Sequence, residues 1–123
     1  MASITVVIAE PPYGKERLYT TLRFVLAALA DGHPVNLFLL EDAVFAARKG
    51  QKPPELPGLL DERMPNCEEL LKTVVRQGAQ VKACGVCCTE RAVTQDQLVE
   101  GVKIASMRDL VNWVVETDKV VFF

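Results

Sequence analysis

Four of the 123 residues are cysteine, at positions 67, 84, 87 and 88, so three of them fall within five positions. A secreted disulfide framework normally spreads its cysteines along the chain and depends on them because its core is small. Here half of the residues are hydrophobic, and a chain of this length buries a core without staples. The cluster therefore points to redox, sulfur or metal chemistry in a reducing compartment. In Cys84-Gly85-Val86-Cys87, residues three apart share a helical face, whereas Cys88 is turned about a hundred degrees from Cys87. The useful pair is Cys84 with Cys87: Cys84 as the primary nucleophile, Cys87 as a thiol that resolves a disulfide or persulfide on it. Gly85 has no side chain, which lets a reacting partner approach the sulfur.

Three chemistries share that spacing. A thioredoxin-like motif sets a proline from a later strand against its disulfide, but no proline follows Pro65. A structural zinc site needs four ligands; the single His33 sits in a turn signal, and Cys67 starts a distant helix, so zinc would require Cys67 or an oligomer partner. The third chemistry is a sulfur-carrying cysteine, which needs one reactive thiol at a strand end with an access path. Cys67 and Cys88 read as small buried hydrophobes.

The elements that must position these thiols follow from periodicity. Ile4 to Ala9 is a β-branched run stopped by Pro11-Pro12, hence a first strand. Leu18, Leu22, Val25 and Leu29 recur at helical spacing from Lys15 to Ala30, ahead of the C-cap Gly32. Val35 to Leu40 predicts a second strand, and Glu41 to Arg48 a short Ala-rich helical segment. Lys49 to Pro65 holds four of the seven prolines and predicts a long irregular loop, as a lid over the cysteine site or an oligomer contact. Asn66 with Glu69 caps the next helix, which Gly78 ends. Ala79 to Ala83 is the third strand, and a short helix runs on from the cysteines. Thr94 with Gln97 opens another short helix, Val102 to Ala105 is the fourth strand, Ser106 with Asp109 caps a helix carrying Met107 and Trp113, and Lys119 to Phe123 is the fifth strand. Apolar strands alternating with helices predict one α/β domain over 1–123, a mostly parallel five-stranded sheet with helices on both faces. In such sheets chemistry collects outside the carboxyl ends of the strands, where Cys84 falls. Free N–H groups at the start of the short helix would stabilise a thiolate there, with Lys82 and Arg91 adding positive charge.

Composition excludes other classes. With 14 basic and 16 acidic side chains and no basic stripe, nucleic acid is not an expected partner. No apolar run reaches the length that spans a bilayer, and the N-terminus carries no leader pattern, so no membrane is expected and the cytoplasm is the expected location. Tyr13-Gly14-Lys15 lacks the spacing of a phosphate-binding loop. No cofactor is called for.

The segment Val81-Lys82-Ala83-Cys84-Gly85-Val86-Cys87-Cys88-Thr89-Glu90-Arg91 resembles the DsrE/DsrF-like family of small sulfur-relay proteins. The first strand with Pro12-Tyr13-Gly14 and a long helix, the Ala30-Asp31-Gly32-His33-Pro34-Val35 entry to the second strand, and Glu41-Asp42 after it extend the resemblance over nearly the whole chain. It implies a YchN-like α/β fold, assembly into a homo-oligomer (trimer or hexamer), protein sulfur donors and acceptors, and a persulfide on the cysteine matching Cys84, with Arg91 at the basic position that follows. On this reading the chain is a sulfurtransferase-like persulfide carrier, with Cys84 and Cys87 as the reacting residues and Gly85, Arg91, Lys82 and Tyr13 as substrate-binding and anion-stabilising ones. Cys87 with Cys88 departs from the single-cysteine pattern of the sulfurtransferase subunits, so transfer, storage and another thiol task all stay open. The alternative is a noncatalytic oligomeric scaffold or regulatory binding module, metal-binding or redox-sensing through Cys84 and Cys87.

Overall fold

The apolar runs of the sequence become five short strands, β1 (Ile4–Ile8), β2 (Val35–Leu39), β3 (Gln80–Cys84), β4 (Val102–Ala105) and β5 (Lys119–Phe122). In the computed structural model, which describes residues 1–53 and 65–123, these strands form one sheet in the order β4-β3-β2-β1-β5. Every pair is parallel, so all carboxyl ends lie along one edge. The helices are α1 (Arg17–Ala30), α2 (Cys67–Arg76), α3 (Gly85–Glu90) and α4 (Met107–Glu116), and Glu41–Ala47 and Gln95–Gln97 form tighter 3-10 turns.

Strand alternation sorts the helices into layers. α1 and α2 pack together on one face, where Phe24 of α1 meets Phe123 edge-on at 5.3 Å. The opposite face carries Phe38, in register with Val7 and Lys82, and there Trp113 of α4 stands edge-on to Phe38 at 6.0 Å. Ile8, Leu18, Leu22, Leu37, Leu39 and Leu71 fill the space beneath α1 and α2, each less than 2 % exposed.

Local differences from the sequence reading have local causes. α1 begins at Arg17 because Glu16 makes no side-chain cap and Lys15 turns back to Glu10 at 3.1 Å. The Ala-rich segment forms a 3-10 turn from Glu41. β3 extends one residue past Ala83, because Cys84 still registers with Ala105 of β4. Asn66 accepts from the Glu69 N–H at 3.1 Å, as its spacing predicts, and Ser106 forms the capping box with Asp109. The central part of the Pro-rich loop, 54–64, lies outside the described residues.

β4 is an edge strand, and a side chain closes it. The Gln95 carboxamide donates to the Val102 carbonyl at 2.8 Å and accepts from the Ile104 N–H at 2.9 Å, the two bonds that a sixth strand would otherwise make. An open edge invites pairing with another chain. Gln95→Ala should therefore lower stability by about 1–2 kcal/mol and make the protein associate at raised concentration; denaturant titration with light scattering checks both, and an unchanged midpoint would remove the role.

Candidate functional site

Cys84 ends β3 and caps α3, so the chain turns from strand to helix at the sulfur-bearing residue itself. Its neighbours in the sheet are β2 and β4, and the first residues past their carboxyl ends close around it. Leu40 and Glu41 from β2, Ala105, Ser106, Met107 and Asp109 from β4 and α4, and Cys84, Gly85, Val86 and Cys87 line a cleft of about 660 Å³. Gly85 is packed there: a Cβ on it would stand 3.3 Å from the Ala105 carbonyl oxygen and from an Ile104 methyl, so the α3 backbone seats directly on β4.

Cys87 comes one helical turn after Cys84 on the same wall. Burial pushes its thiol pKa up, and the neighbouring Cys84 thiol pushes the same way; the Glu41 backbone and the Arg91 charge pull against them. Glu41, which lines the same cleft, is in the left-handed region at φ 49°, where a residue with a Cβ is strained. Arg91 holds this corner, its Nε donating to Asp42 at 2.8 Å and its Nη1 to the Cys87 carbonyl at 3.2 Å. Cys88, turned away as the helical geometry predicts, is 1 % exposed and raised mainly by burial.

Three of the six predicted site residues, Cys84, Gly85 and Cys87, thus meet in one cleft, and the other three do not. Lys82 is on the Cys84 face of β3, but its ammonium rests 4.5 Å from the centre of the Trp113 ring, a cation–π contact. Arg91 is tied to Asp42 behind the Cys87 backbone. Tyr13 belongs to the neighbourhood of Cys67: its hydroxyl donates to Gln51 at 2.6 Å and accepts from the Cys67 N–H at 3.2 Å. The Cys67 thiol donates to the Pro12 carbonyl at 3.4 Å, and burial pushes its pKa up to about 11. Among the described residues no group of three or more Cys, His, Asp or Glu side chains is arranged to hold a metal ion. His33 accepts from the Ala2 N–H, as a turn residue.

Buried Glu68 completes the Tyr13 corner. One carboxylate oxygen accepts from the Gly50 and Gln51 N–H groups, each at 2.9 Å, and the other pairs with Lys72 at 3.2 Å. Burial alone would raise its pKa, but the Gln51 N–H, Lys72 and the Gly50 N–H outweigh it, and the net shift is downward. A carboxyl depressed in the folded state stabilises the fold above its unfolded pKa, about 4.3, and loses that contribution as pH falls through the folded value. Glu68→Gln should cost about 1–2 kcal/mol at pH 7, with the gap to wild type narrowing towards pH 3. Urea titrations across that range test this, and a gap independent of pH would sink it.

A family model described as the DsrE/DsrF-like family matches residues 2–123, essentially the whole chain. The chain belongs to the DsrE/DsrF-like family. It is 34 % identical to the protein YchN of Escherichia coli over the full length of both, and the crystal structure of that protein superposes with a TM-score of 0.88 at 33 % identity, again over all of both chains. An uncharacterised protein of Methanopyrus kandleri is 52 % identical over 98 % of this chain and 93 % of its own. A protein of unknown function from Methanobacterium thermoautotrophicum shares the fold, with a TM-score of 0.78 at 16 % identity.

For this family member the residues that sequence reasoning missed are Glu41, Asp42 and Asp109. Asp109 accepts the Ser106 N–H and hydroxyl at 2.8 and 3.0 Å, which hold its carboxyl below the usual range and put a negative charge on the cleft rim. The available signal was positional: once β2, β3 and β4 are neighbours, residues just beyond β2 and β4 must flank Cys84.

Proposed function

We propose that the chain is a sulfane-sulfur carrier that holds sulfur as a persulfide on Cys84, taking it from a protein donor and passing it to an acceptor thiol. The observation that carries this reading is the placement of Cys84 at the end of a central strand, on the wall of a cleft lined by Leu40, Val86, Ile104 and Met107. Apolar walls keep water from the sulfur, and the absence of a side chain on Gly85 lets α3 seat on β4 beside it. Transfer is thiol–disulfide-type exchange: the attacking sulfur bonds to the sulfane sulfur as that atom leaves its carrier.

The carrier works as a homo-oligomer, trimer or hexamer. Met107, Val111 and Val115 form an exposed stripe along α4, and Val120 and Phe122 are exposed on β5; a second copy that covers them removes apolar surface from water. No described helix is long and apolar enough to cross a membrane, and four free thiols suit a reducing cytoplasm.

The test uses Cys87→Ser, so that no second thiol lines the cleft. Incubation with inorganic polysulfide should add about 32 Da to the peptide containing Cys84, the mass of one sulfur. An unmodified Cys84, with thiols that also resist alkylation in the native protein, would replace the carrier by the oligomeric scaffold.

A further inference from the structure

Two thiols line the cleft, and a carrier needs only one. Cys84 is 4 % and Cys87 9 % exposed, on the same wall, whereas Cys88 at 1 % is outside the lining. Cys87 is held more closely than a packing residue requires. Its carbonyl accepts from Arg91, the left-handed Glu41 lines the same cleft, and the Cys84 thiol shares its wall. Residues three apart on a helix lie within the Cα separation of about 4.4–6.8 Å that a disulfide spans, so the two sulfurs can join without unwinding α3.

We infer that Cys87 discharges a persulfide on Cys84 inside the chain, releasing the sulfane sulfur as hydrosulfide and leaving a Cys84–Cys87 disulfide. The inference rests on the carrier reading. The Cys87 proton passes first to the outer sulfur of the persulfide, and the Cys87 thiolate so formed attacks the inner sulfur, Sγ of Cys84; the bond between Sγ and the sulfane sulfur breaks, and its electron pair leaves with the sulfane sulfur. The Cys87 proton goes with it, so an anionic persulfide and a neutral thiol become a disulfide and HS⁻, with charge and atoms balanced. The sulfane sulfur is reduced and the two cysteine sulfurs are oxidised. Burial, which keeps Cys87 protonated, supplies the proton that hydrosulfide needs. A dithiol reductant resets the site by exchange, its own thiols becoming a disulfide. The chain then has a second outlet: sulfur passes to an acceptor thiol when one docks, and leaves as sulfide when a dithiol supplies electrons.

The experiment follows the tryptic peptide 83–91, which contains Cys84, Cys87 and Cys88, after anaerobic treatment with one equivalent of inorganic polysulfide and alkylation under denaturing conditions. Wild type should end about 2 Da below the reduced peptide, with Cys88 alone alkylated. Cys87→Ser and Cys87→Ala should instead keep the added sulfur on Cys84 at least about ten times longer. Protein held anaerobically without polysulfide should keep all its thiols, and Cys88→Ala should behave as wild type. The inference is overturned if wild type holds the added sulfur as long as Cys87→Ser does, if the disulfide joins Cys84 to Cys88, or if the added sulfur is found on Cys87. Should neither Cys87 variant ever gain sulfur, the carrier reading itself fails, which is a separate outcome.

Discussion

Replacing Cys84 by serine should abolish the sulfur adduct completely, both in the otherwise native chain and in the Cys87→Ser background. Serine is nearly isosteric, so α3 still starts at the same point of β3, but a hydroxyl neither attacks a polysulfide at neutral pH nor holds a sulfane sulfur. The other cysteines cannot take over. Cys67 is fully buried under the Pro12 carbonyl with its pKa pushed up to about 11, which leaves on the order of one thiolate in ten thousand at pH 7. Cys88 faces the core at 1 % exposure. Cys87 is in the cleft, but its burial and the neighbouring Cys84 thiol favour the protonated form, and the thiolate is the nucleophile. Intact mass and peptide mapping of the two serine variants read this directly. An adduct that survives Cys84→Ser would move the reactive centre to another thiol.

Truncating Trp113 to alanine should have the largest effect on stability, a loss of about 3–5 kcal/mol and a fall in Tm on the order of 10–20 °C for a chain of this size. Trp113 is 6 % exposed, stacks edge-on against Phe38 and supports the Lys82 ammonium. Its carbonyl accepts from the hydroxyls of buried Thr5 and of Thr117. It is therefore the anchor of α4 on its face of the sheet, and the first turn of α4 supplies Met107 and Asp109 to the cleft. Loosening the anchor should also make Cys84 alkylate faster in the folded protein. Trp113→Phe, which keeps an aromatic edge for Phe38, should recover more than half of the lost stability. A thermal shift of only a degree or two for the alanine variant would show that α4 is held elsewhere.

How far the sequence reaches can be judged residue by residue. Strands one, two and four, the capping boxes at Thr94 and Ser106 and the Asn66 cap were legible because they rest on neighbours within four positions. The place of Cys84 at a strand end was legible for the same reason, to within one residue; the extra residue of β3 came from pairing with Ala105, a contact between strands. Gly85 and Cys87 followed from helical spacing. Arg91 and Lys82 are close to the thiols in the chain, but their partners, Asp42 and Trp113, lie 49 and 31 residues away in the sequence, and no local pattern carries that information. Tyr13 is at the same carboxyl edge as Cys84 but behind β1, two strands away, where it serves Cys67 and Gln51 instead.

The sequence by itself determined the alternation of strand and helix, the α/β class and the presence of two thiols one helical turn apart, because periodicity, caps and breakers act over a few residues. The tertiary structure alone decided the strand order, and with it which chain segments become neighbours of β3. It brought Glu41 from one side and Ser106 to Asp109 from the other against Cys84. It also put that pair, and neither Cys67 nor Cys88, on the wall of one cleft, since membership of a shared cleft depends on non-local packing that composition and spacing do not specify.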